Sequence, residues 1–362
     1  MEYKFEDIAY NSTAKKLPIE ADKDCYIGLE HLDSDCLSVT RWGAETAPIG
    51  EKLIMKKGDV LFGKRRAYQR KVGIAPFDGI FSAHGMVLRP KEEVIDKDFF
   101  PFFISSDQFM ERAVRISVGG LSPTINWKDL KIQKFSLPAL EEQRELAKKL
   151  WAAYRLKESY KKLLAATSEM VKSQFIEMRC HTTTTRKKVG EVAKVMTGST
   201  PSRNHPEYWG GSNYWVAAQD MGGKYVTDTL EKVTDEGYAT CKVVPAGSVL
   251  YVCRGSIGVI SINTMDCATN QSICTATCND GYINEYLYYS LKFAEGDIKK
   301  QGTGTSFKSL NQSSFAAIEL DFPSIDDQKA FVEIARQADK SEFELRKSIE
   351  SIDAVIKSLI NS

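Results

Sequence analysis

The segment GKRRAYQRK, at residues 63–71, places five cations around one aromatic side chain. A guanidinium group can donate two hydrogen bonds to the edge of guanine, and each cation that neutralises a phosphate releases a counterion. Strand-like runs flank the segment, which predicts a loop or hairpin that could contact nucleic acid. A solvated hairpin tip is the alternative. The candidate DNA-contacting residues here are Lys64, Arg65, Arg66, Tyr68, Arg70 and Lys71.

Further candidate contacts lie in Gly-, Ser- and Thr-rich segments of the second half of the chain. STPSRNHPEYWGG, at residues 199–211, mixes groups suited to phosphates and base edges, although Trp209 suits a core better. In CRGSIGVI, at 253–260, the glycines allow either close approach to phosphate or a tight turn. GTGTSFKSLN, at 302–311, adds one lysine. The candidates are Ser199, Thr200, Arg203, Asn204, Tyr208, Arg254, Ser256 and Lys308.

Composition limits what the chain as a whole can do. With 362 residues, 43% of them hydrophobic, it is long enough for more than one core. The net charge of +1 argues against coating by nucleic acid, so any contact must be local.

The start of the sequence has no signal-like apolar region and no later run could span a bilayer, which predicts a cytoplasmic protein without a membrane anchor. The eight cysteines and four histidines lack zinc-ligand spacing, so we expect no metal and no cofactor.

The candidate residues lie in a chain that contains an internal sequence repeat. LPALEEQREL, at 137–146, is matched 185 residues later by FPSIDDQKAF, at 322–331. KFEDIA at 4–9 likewise resembles KVGEVA at 188–193, and KKGDVLFGKR at 56–65 resembles PAGSVLYVCR at 245–254. The chain is therefore predicted to be a duplicated unit. Its predicted segments are a globular part at 1–137, a helix at 138–180, a second globular part at 181–322 and a second helix at 323–362.

Within each repeat, short β-branched and aromatic runs alternate with Gly and Pro turn signals. DVLF, GMVL, SVLYV and VISI indicate strands, and IQKFSLP and AIELDFP indicate closing strands that precede the long helices. Helical patterns occur near residues 97–114 and 283–300. The predicted fold class is α+β: tandem duplicated α/β domains separated by two long helices packed as a coiled coil.

The two helices share a stripe of apolar residues with heptad spacing. Residues 144–162 carry seven basic and two acidic side chains, whereas 326–350 carry seven acidic and five basic ones, which favours pairing of one helix with the other. Whether they run parallel or antiparallel is open at this level. The predicted helix–helix contact residues are Leu146, Leu150, Tyr160, Leu164, Val171, Phe331, Ala335, Leu345, Ile349, Ile352 and Ile356.

This layout resembles the specificity subunit of a Type I restriction-modification system over essentially the whole chain. The resemblance rests on the helix starts LPALEEQ and FPSIDDQ, which are similar to the family's Pro-x-x-x-x-Gln pattern, and on YIGLEHL at 26–32, TGSTPSRNHPEYWGG at 197–211 and CRGSIG at 253–258. Asp327 stands where the family usually has Glu, and the first repeat lacks a GSTPS…YWGG string. The two repeats are therefore expected to read different sequences.

The resemblance implies a non-catalytic DNA reader. Each globular part would be a target-recognition domain that reads one half of a bipartite site in double-stranded DNA. The helices would space the domains and dock methyltransferase subunits, through which restriction and translocase subunits join. No methyltransferase N-P-P-[YF] loop, P-loop or zinc signature occurs in the sequence. The alternative is a coiled-coil scaffold that carries two domains for ligands other than DNA, which the near-neutral charge would suit.

Overall fold

The computed structural model describes residues 1–300 and 310–361, which divide into two compact units. Unit 1 contains Met1–Lys162 and Leu345–Ser362, and unit 2 contains Leu163–Glu344. Each unit therefore combines one globular part with a portion of both long helices. Among the described residues, no helix has an apolar stretch that could cross a bilayer.

Unit 1 is a mixed unit of short strands and helices. Its strands are β1 (Glu2–Lys4), β2 (Ala9–Ser12), β3 (Lys15–Lys16), β4 (Tyr26–Ile27), β5 (Lys52–Met55), β6 (Val60–Phe62), β7 (Val72–Ile74), β8 (Gly79–Phe81), β9 (Met86–Pro90) and β10 (Lys134–Ser136). Its helices are α1 (Phe5–Ile8), α2 (Phe100–Ser105), α3 (Asp107–Arg115), α4 (Trp127–Leu130) and α5 (Leu140–His181), which continues into unit 2. The sheets have the strand orders β2-β9-β6-β7 and β3-β5-β8-β4, and β1 pairs with β10.

Unit 2 has the same kinds of element. Its strands are β11 (Thr185–Lys188), β12 (Ala193–Thr197), β13 (Trp209–Val216), β14 (Tyr225–Val226), β15 (Lys232–Val233), β16 (Val243–Val244), β17 (Val249–Val252), β18 (Ile260–Asn263), β19 (Cys267–Thr269), β20 (Ile273–Cys278) and β21 (Glu319–Phe322). Its helices are α6 (Val189–Val192), α7 (Asp235–Ala239), α8 (Asn284–Phe293), α9 (Glu295–Lys300), α10 (Gln312–Ala316) and α11 (Ile325–Ile360), which continues into unit 1.

The strand orders of the two units match, as the internal repeat predicts. The order β2-β9-β6-β7 of unit 1 corresponds to β12-β20-β17-β18 of unit 2, where β14 extends the edge. In the second sheet of each unit, a central strand has one parallel and one antiparallel neighbour: β8 lies between β4 and β5, and β19 lies between β13 and β16. The predicted α+β class and duplicated domains are confirmed.

The long helices pack against each other within each unit. In unit 1, Lys157 of α5 donates a hydrogen bond to Asp353 of α11. In unit 2, Ser168 of α5 donates to Glu342 of α11 at 2.7 Å, and later residues of α5 contact earlier residues of α11. Both contacts have the same antiparallel register, which settles the orientation that the sequence left open.

Every residue of the predicted stripe is buried or half-buried in its unit. The buried members are Leu150, Val171, Phe331 and Ala335, and the half-buried members are Leu146, Tyr160, Leu164, Leu345, Ile349, Ile352 and Ile356. Tyr154 and Phe175, which the predicted stripe does not include, are also buried. Tyr154 accepts hydrogen bonds from the backbone N–H groups of Leu37 and Ser38, both at 2.9 Å, and Phe175 packs 5.2 Å from the ring of Phe331.

The structure gives a physical reason for the glutamine of the first helix-start motif. The Gln143 side chain is only 1% exposed. Its Oε1 accepts a hydrogen bond from the Asp96 N–H at 2.8 Å, while its Nε2 donates to the carbonyls of Val94 and Pro138 at 3.1 and 2.9 Å. One amide therefore joins the start of α5 to the loop that precedes α2.

Gln328, at the same position of the second repeat, makes equivalent bonds. It is also 1% exposed, accepts from the Ile283 N–H at 3.1 Å and donates to the Pro323 carbonyl at 3.1 Å. Ile283 precedes α8, the counterpart of α2. The repeated Pro-x-x-x-x-Gln motif thus attaches each long helix to its own globular part, because a buried amide must satisfy both its donor and its acceptor.

Candidate nucleic-acid interface

In unit 1 the cationic segment 63–71 connects β6 to β7, which pair antiparallel. It is the hairpin connection that its sequence predicts. Arg66 and Arg70 flank a short 3₁₀ turn at Ala67–Gln69 and adopt left-handed backbone angles, with φ of 57° and 52°. The Tyr68 side chain is 54% exposed. The turn therefore presents an aromatic ring and basic side chains at the surface of unit 1.

The GGLSPTIN segment lies against this connection. The Arg66 N–H donates to the Pro123 carbonyl at 2.7 Å, and its Nε donates to the Ser122 hydroxyl at 3.2 Å. The Ile125 N–H donates to the Lys64 carbonyl at 3.0 Å. GGLSPTIN spans residues 119–126, so two segments about 55 residues apart in sequence form one surface feature.

The cationic side chains of this connection differ in whether they already form ion pairs or hydrogen bonds within the protein. Arg70 forms ion pairs with Asp35 and Asp107, with N–O distances of 2.6 and 3.1 Å. Lys71 donates to the Leu29 carbonyl at 2.6 Å. Lys64 is half-buried, and its desolvation lowers the pKa of its ammonium group. Arg65 forms no ion pair with any residue that the structure describes.

In unit 2 the STPSRNHPEYWGG segment folds partly onto itself. Arg203 bonds to both carboxylate oxygens of Glu231, at 2.7 and 2.8 Å, and stacks on the Trp209 ring with its guanidinium carbon 3.5 Å from the centroid. This hydrogen bonding holds the pKa of Glu231 below its usual value. Tyr208 stacks on His205, and Asn204 is exposed. Arg203 therefore stabilises the local conformation through a charge-assisted bidentate pair.

Ser199 and Thr200 are held against a neighbouring turn of unit 2. The Ser199 N–H donates to the Thr269 carbonyl at 2.8 Å, and its hydroxyl accepts from the Lys242 N–H at 3.2 Å. The Thr200 hydroxyl donates to the amide oxygen of Gln271. Gln271 is exposed, and the sequence did not single it out.

Arg254 and Ser256 lie between β17 and β18, and both are exposed. The Leu310 N–H donates to the Cys253 carbonyl at 2.8 Å, which repeats the bond between Ile125 and Lys64 in unit 1. Arg254 is thus the counterpart of Arg65, and within the described ranges it likewise forms no ion pair. Lys308, the remaining predicted contact, lies outside the described residues.

The structure offers no alternative centre for metal chemistry in the part of the chain it describes. Within residues 1–300 and 310–361, no group of three or more His, Cys, Asp or Glu side chains is arranged to hold a metal ion. The eight cysteines are free thiols. Burial raises the pKa of the Cys267 thiol to about 12, which leaves it protonated and unreactive.

Comparison with known proteins agrees with this arrangement. The sequence matches the Type I restriction modification DNA specificity domain twice, over residues 11–166 and 183–352. The Type I restriction enzyme MjaIX specificity subunit of Methanocaldococcus jannaschii is 30% identical over 150 residues, which are 40% of this chain and 35% of that protein. The EcoR124I/EcoR124II specificity subunit of Escherichia coli is 28% identical over 162 residues, 42% of this chain and 40% of that protein.

A solved structure has the same fold. The S subunit of a Type I restriction-modification system from M. genitalium superposes with a TM-score of 0.64 at 14% identity, covering 99% of this chain and 94% of that one. The matched segments span less than half the length of the MjaIX and EcoR124I relatives. The family match, in contrast, covers most of the chain in two copies. The chain belongs to the Type I restriction modification DNA specificity family.

Proposed function

We propose that this chain is the DNA specificity subunit of a Type I restriction-modification complex, in which each globular part reads one half of a bipartite DNA site. The observation that carries the proposal is the repeated placement of an arginine without an ion pair among the described residues. Arg65 and Arg254 occupy equivalent connections of the two units, where each could donate to phosphate or guanine. Two such positions in one chain suit a site with two halves.

The remaining parts of the chain have supporting roles in this proposal. The target-recognition domains are residues 1–137 and 181–322, and the spacer helices are 138–180 and 323–362. The helices space the domains and dock methyltransferase subunits, which in turn bind restriction and translocase subunits. The chain itself catalyses no reaction, and methyl transfer belongs to its partners. The other predicted contacts from Lys64 to Lys71 and from Ser199 to Ser256 either meet DNA or hold the connections that do.

Binding selection with the full chain tests this function. The chain is incubated with duplexes that contain a randomised segment, and the retained duplexes are sequenced at several salt concentrations. We expect enrichment of a bipartite motif and retention that weakens steeply with salt, because phosphate contacts release counterions. Retention that is absent, or that does not depend on salt, would instead favour the coiled-coil scaffold. Methylation mapping in cells that express the chain with methyltransferase subunits should return the same motif.

Replacing the two arginines separately tests which contact each of them makes with DNA. In Arg65→Gln and Arg254→Gln, loss of one phosphate contact would reduce the salt slope by about 0.9. If the arginine reads guanine instead, preference at one G·C pair of one half-site should fall. Lys329→Gln is a matched control, since it removes one exposed charge from the start of α11, where Lys329 pairs with Asp326. Equal effects of all three variants would contradict the assignment of these arginines.

A further inference from the structure

The turn between β19 and β20 presents Gln271 at the surface of unit 2. The turn is internally braced: the Asn270 Oδ1 accepts from the Ser272 N–H at 2.9 Å, and the Ile273 N–H donates to the Asn270 carbonyl at 3.2 Å. A braced turn loses little conformational entropy when its exposed side chain binds. Gln271 is thus an amide on a rigid support.

The TGST portion of the second-repeat motif packs directly on this turn. A Cβ atom on Gly198 would lie 2.2 Å from the Thr269 carbonyl oxygen and 2.4 Å from that of Asn270. The Thr269 hydroxyl oxygen would also lie 2.2 Å away, and because the two carbonyl oxygens belong to the backbone, only glycine permits this approach. The approach brings the Thr200 hydroxyl to the Gln271 amide oxygen. The motif therefore orients the Gln271 side chain.

Strand register brings Gln271 to the same end of the sheet as Arg254. Val252 of β17 pairs with Ile273 of β20, and the Cys253 N–H continues this pairing by donating to the Ser272 carbonyl at 2.7 Å. Extending the same register by one more position, beyond the ends of both strands, places Arg254 opposite Gln271. Both side chains are exposed. A guanidinium and a carboxamide, the two groups best suited to purine edges, thus share one edge of unit 2.

The first repeat also has an arginine at this position, but a different residue lies opposite it in the strand register. In unit 1, Phe62 of β6 pairs with Met86 of β9, and the Arg65 N–H donates to the His84 carbonyl at 3.2 Å. Continuing this register places Arg65 opposite Ala83, which is exposed. The two units therefore differ, at an equivalent surface position, between an alanine and a glutamine. A difference of this kind is expected where two copies of one fold read different bases.

We propose that Gln271 is a specificity-determining residue that reads an adenine in the half-site bound by unit 2, and that Thr200 is a positioning residue for its amide. This inference rests on the proposed function of the chain. A glutamine amide matches adenine in the major groove, because Oε1 accepts from N6 and Nε2 donates to N7. The Thr200 hydroxyl occupies one lone pair of Oε1, and the second lone pair remains for the base.

The test compares full-length Gln271 variants by selection from randomised duplexes. Gln271→Ala should reduce the preference for one A·T pair in one half-site by roughly 5- to 150-fold and leave the other half-site unchanged. Gln271→Glu should move the preference at the same pair towards C·G, since a carboxylate accepts from cytosine N4. Gln219→Ala, at another exposed glutamine of unit 2, is the matched control and should leave the motif unchanged.

The outcomes separate this inference from the function on which it rests. If the wild-type chain selects a bipartite motif and both Gln271 variants select the same motif, Gln271 does not determine specificity although the chain reads DNA. If the wild-type chain selects no motif, the proposed function fails and the inference fails with it. A change in both half-sites would also overturn it, because Gln271 belongs to unit 2 alone.

The test of Thr200 needs a measurement that would stay unchanged if Thr200 only stabilised the fold. Thr200→Val removes the hydroxyl at nearly constant volume. We expect it to weaken the preference at the same A·T pair as Gln271→Ala, with an unchanged salt slope, because no phosphate contact is lost. A lower salt slope with intact base preference would show instead that Thr200 contacts phosphate. Thermal unfolding of each variant tests whether the fold is retained.

Discussion

Inserting one heptad into each long helix, after Lys162 in α5 and after Glu344 in α11, should lengthen the spacer of the recognised site by about three base pairs. Seven residues of α-helix add about 10 Å, and B-DNA advances about 3.4 Å per base pair. A heptad preserves the phase of the apolar stripe. The two half-sequences should stay unchanged, because neither globular part is altered. Selection from randomised duplexes measures the spacer directly.

Both helices must be lengthened because they pair antiparallel. The contact between Lys157 and Asp353 lies on one side of the insertion points, and that between Ser168 and Glu342 lies on the other. Insertion into α5 alone would therefore break one of these contacts and serves as the control, with loss of folding or of specific binding expected. An active double-insertion variant with the original spacer would show that the helices do not set the distance between half-sites.

Gln143→Ala should open the junction between α5 and its globular part. The substitution leaves the Asp96 N–H and the carbonyls of Val94 and Pro138 without the partner they have in the native structure. An unsatisfied buried polar group costs about 1–3 kcal/mol, so we expect a loss of about 3 kcal/mol after partial access of water. That loss corresponds to roughly hundredfold faster hydrogen exchange at the Asp96 amide.

The two repeats provide internal comparisons for this prediction. Gln328→Ala should have the same effect at the Ile283 amide and leave the Asp96 amide protected, because it disrupts unit 2. Gln337→Ala is the control on the exposed side of α11, where the side chain bonds only weakly to Glu333 at 3.3 Å. Unchanged exchange at Asp96 in Gln143→Ala would mean that the glutamine does not hold the helix to the unit.

The sequence predicted features that depend on local pattern. The long helices, the short strands and the paired helix starts all depend on spacing over a few residues, and the structure contains them. The duplication was also visible, since both copies keep their frame over about 185 residues. Antiparallel register was not visible, because the stripe is compatible with either direction until specific contacts such as Lys157 with Asp353 are known.

Whether a candidate cation forms an ion pair depends on residues distant in the sequence, so this property could not be predicted. Arg70 meets Asp35 and Asp107, and Arg203 meets Glu231, across 28 to 37 positions of sequence that contain many other carboxylates. A basic cluster therefore indicates where cations lie, but not which of them remain unpaired.

Gln271 was missed for a different reason. Its turn contains neither a cation nor a motif, and its relation to Thr200 spans 71 residues. Its equivalence to Ala83 follows from the strand registers, which the structure shows and the sequence does not.

The division of the chain has a consequence for its synthesis on the ribosome. Unit 2 is contiguous, from Leu163 to Glu344, whereas unit 1 combines residues before Leu163 with residues after Glu344. Ile356, Leu359 and Ile360 pack against the core of unit 1 and are translated after every residue of unit 2. Unit 1 therefore cannot complete its packing until unit 2 has been translated, although residues 1–162 are made before unit 2. A premature stop after Glu344 would deprive the N-terminal unit of these contacts and leave the residues of unit 2 complete.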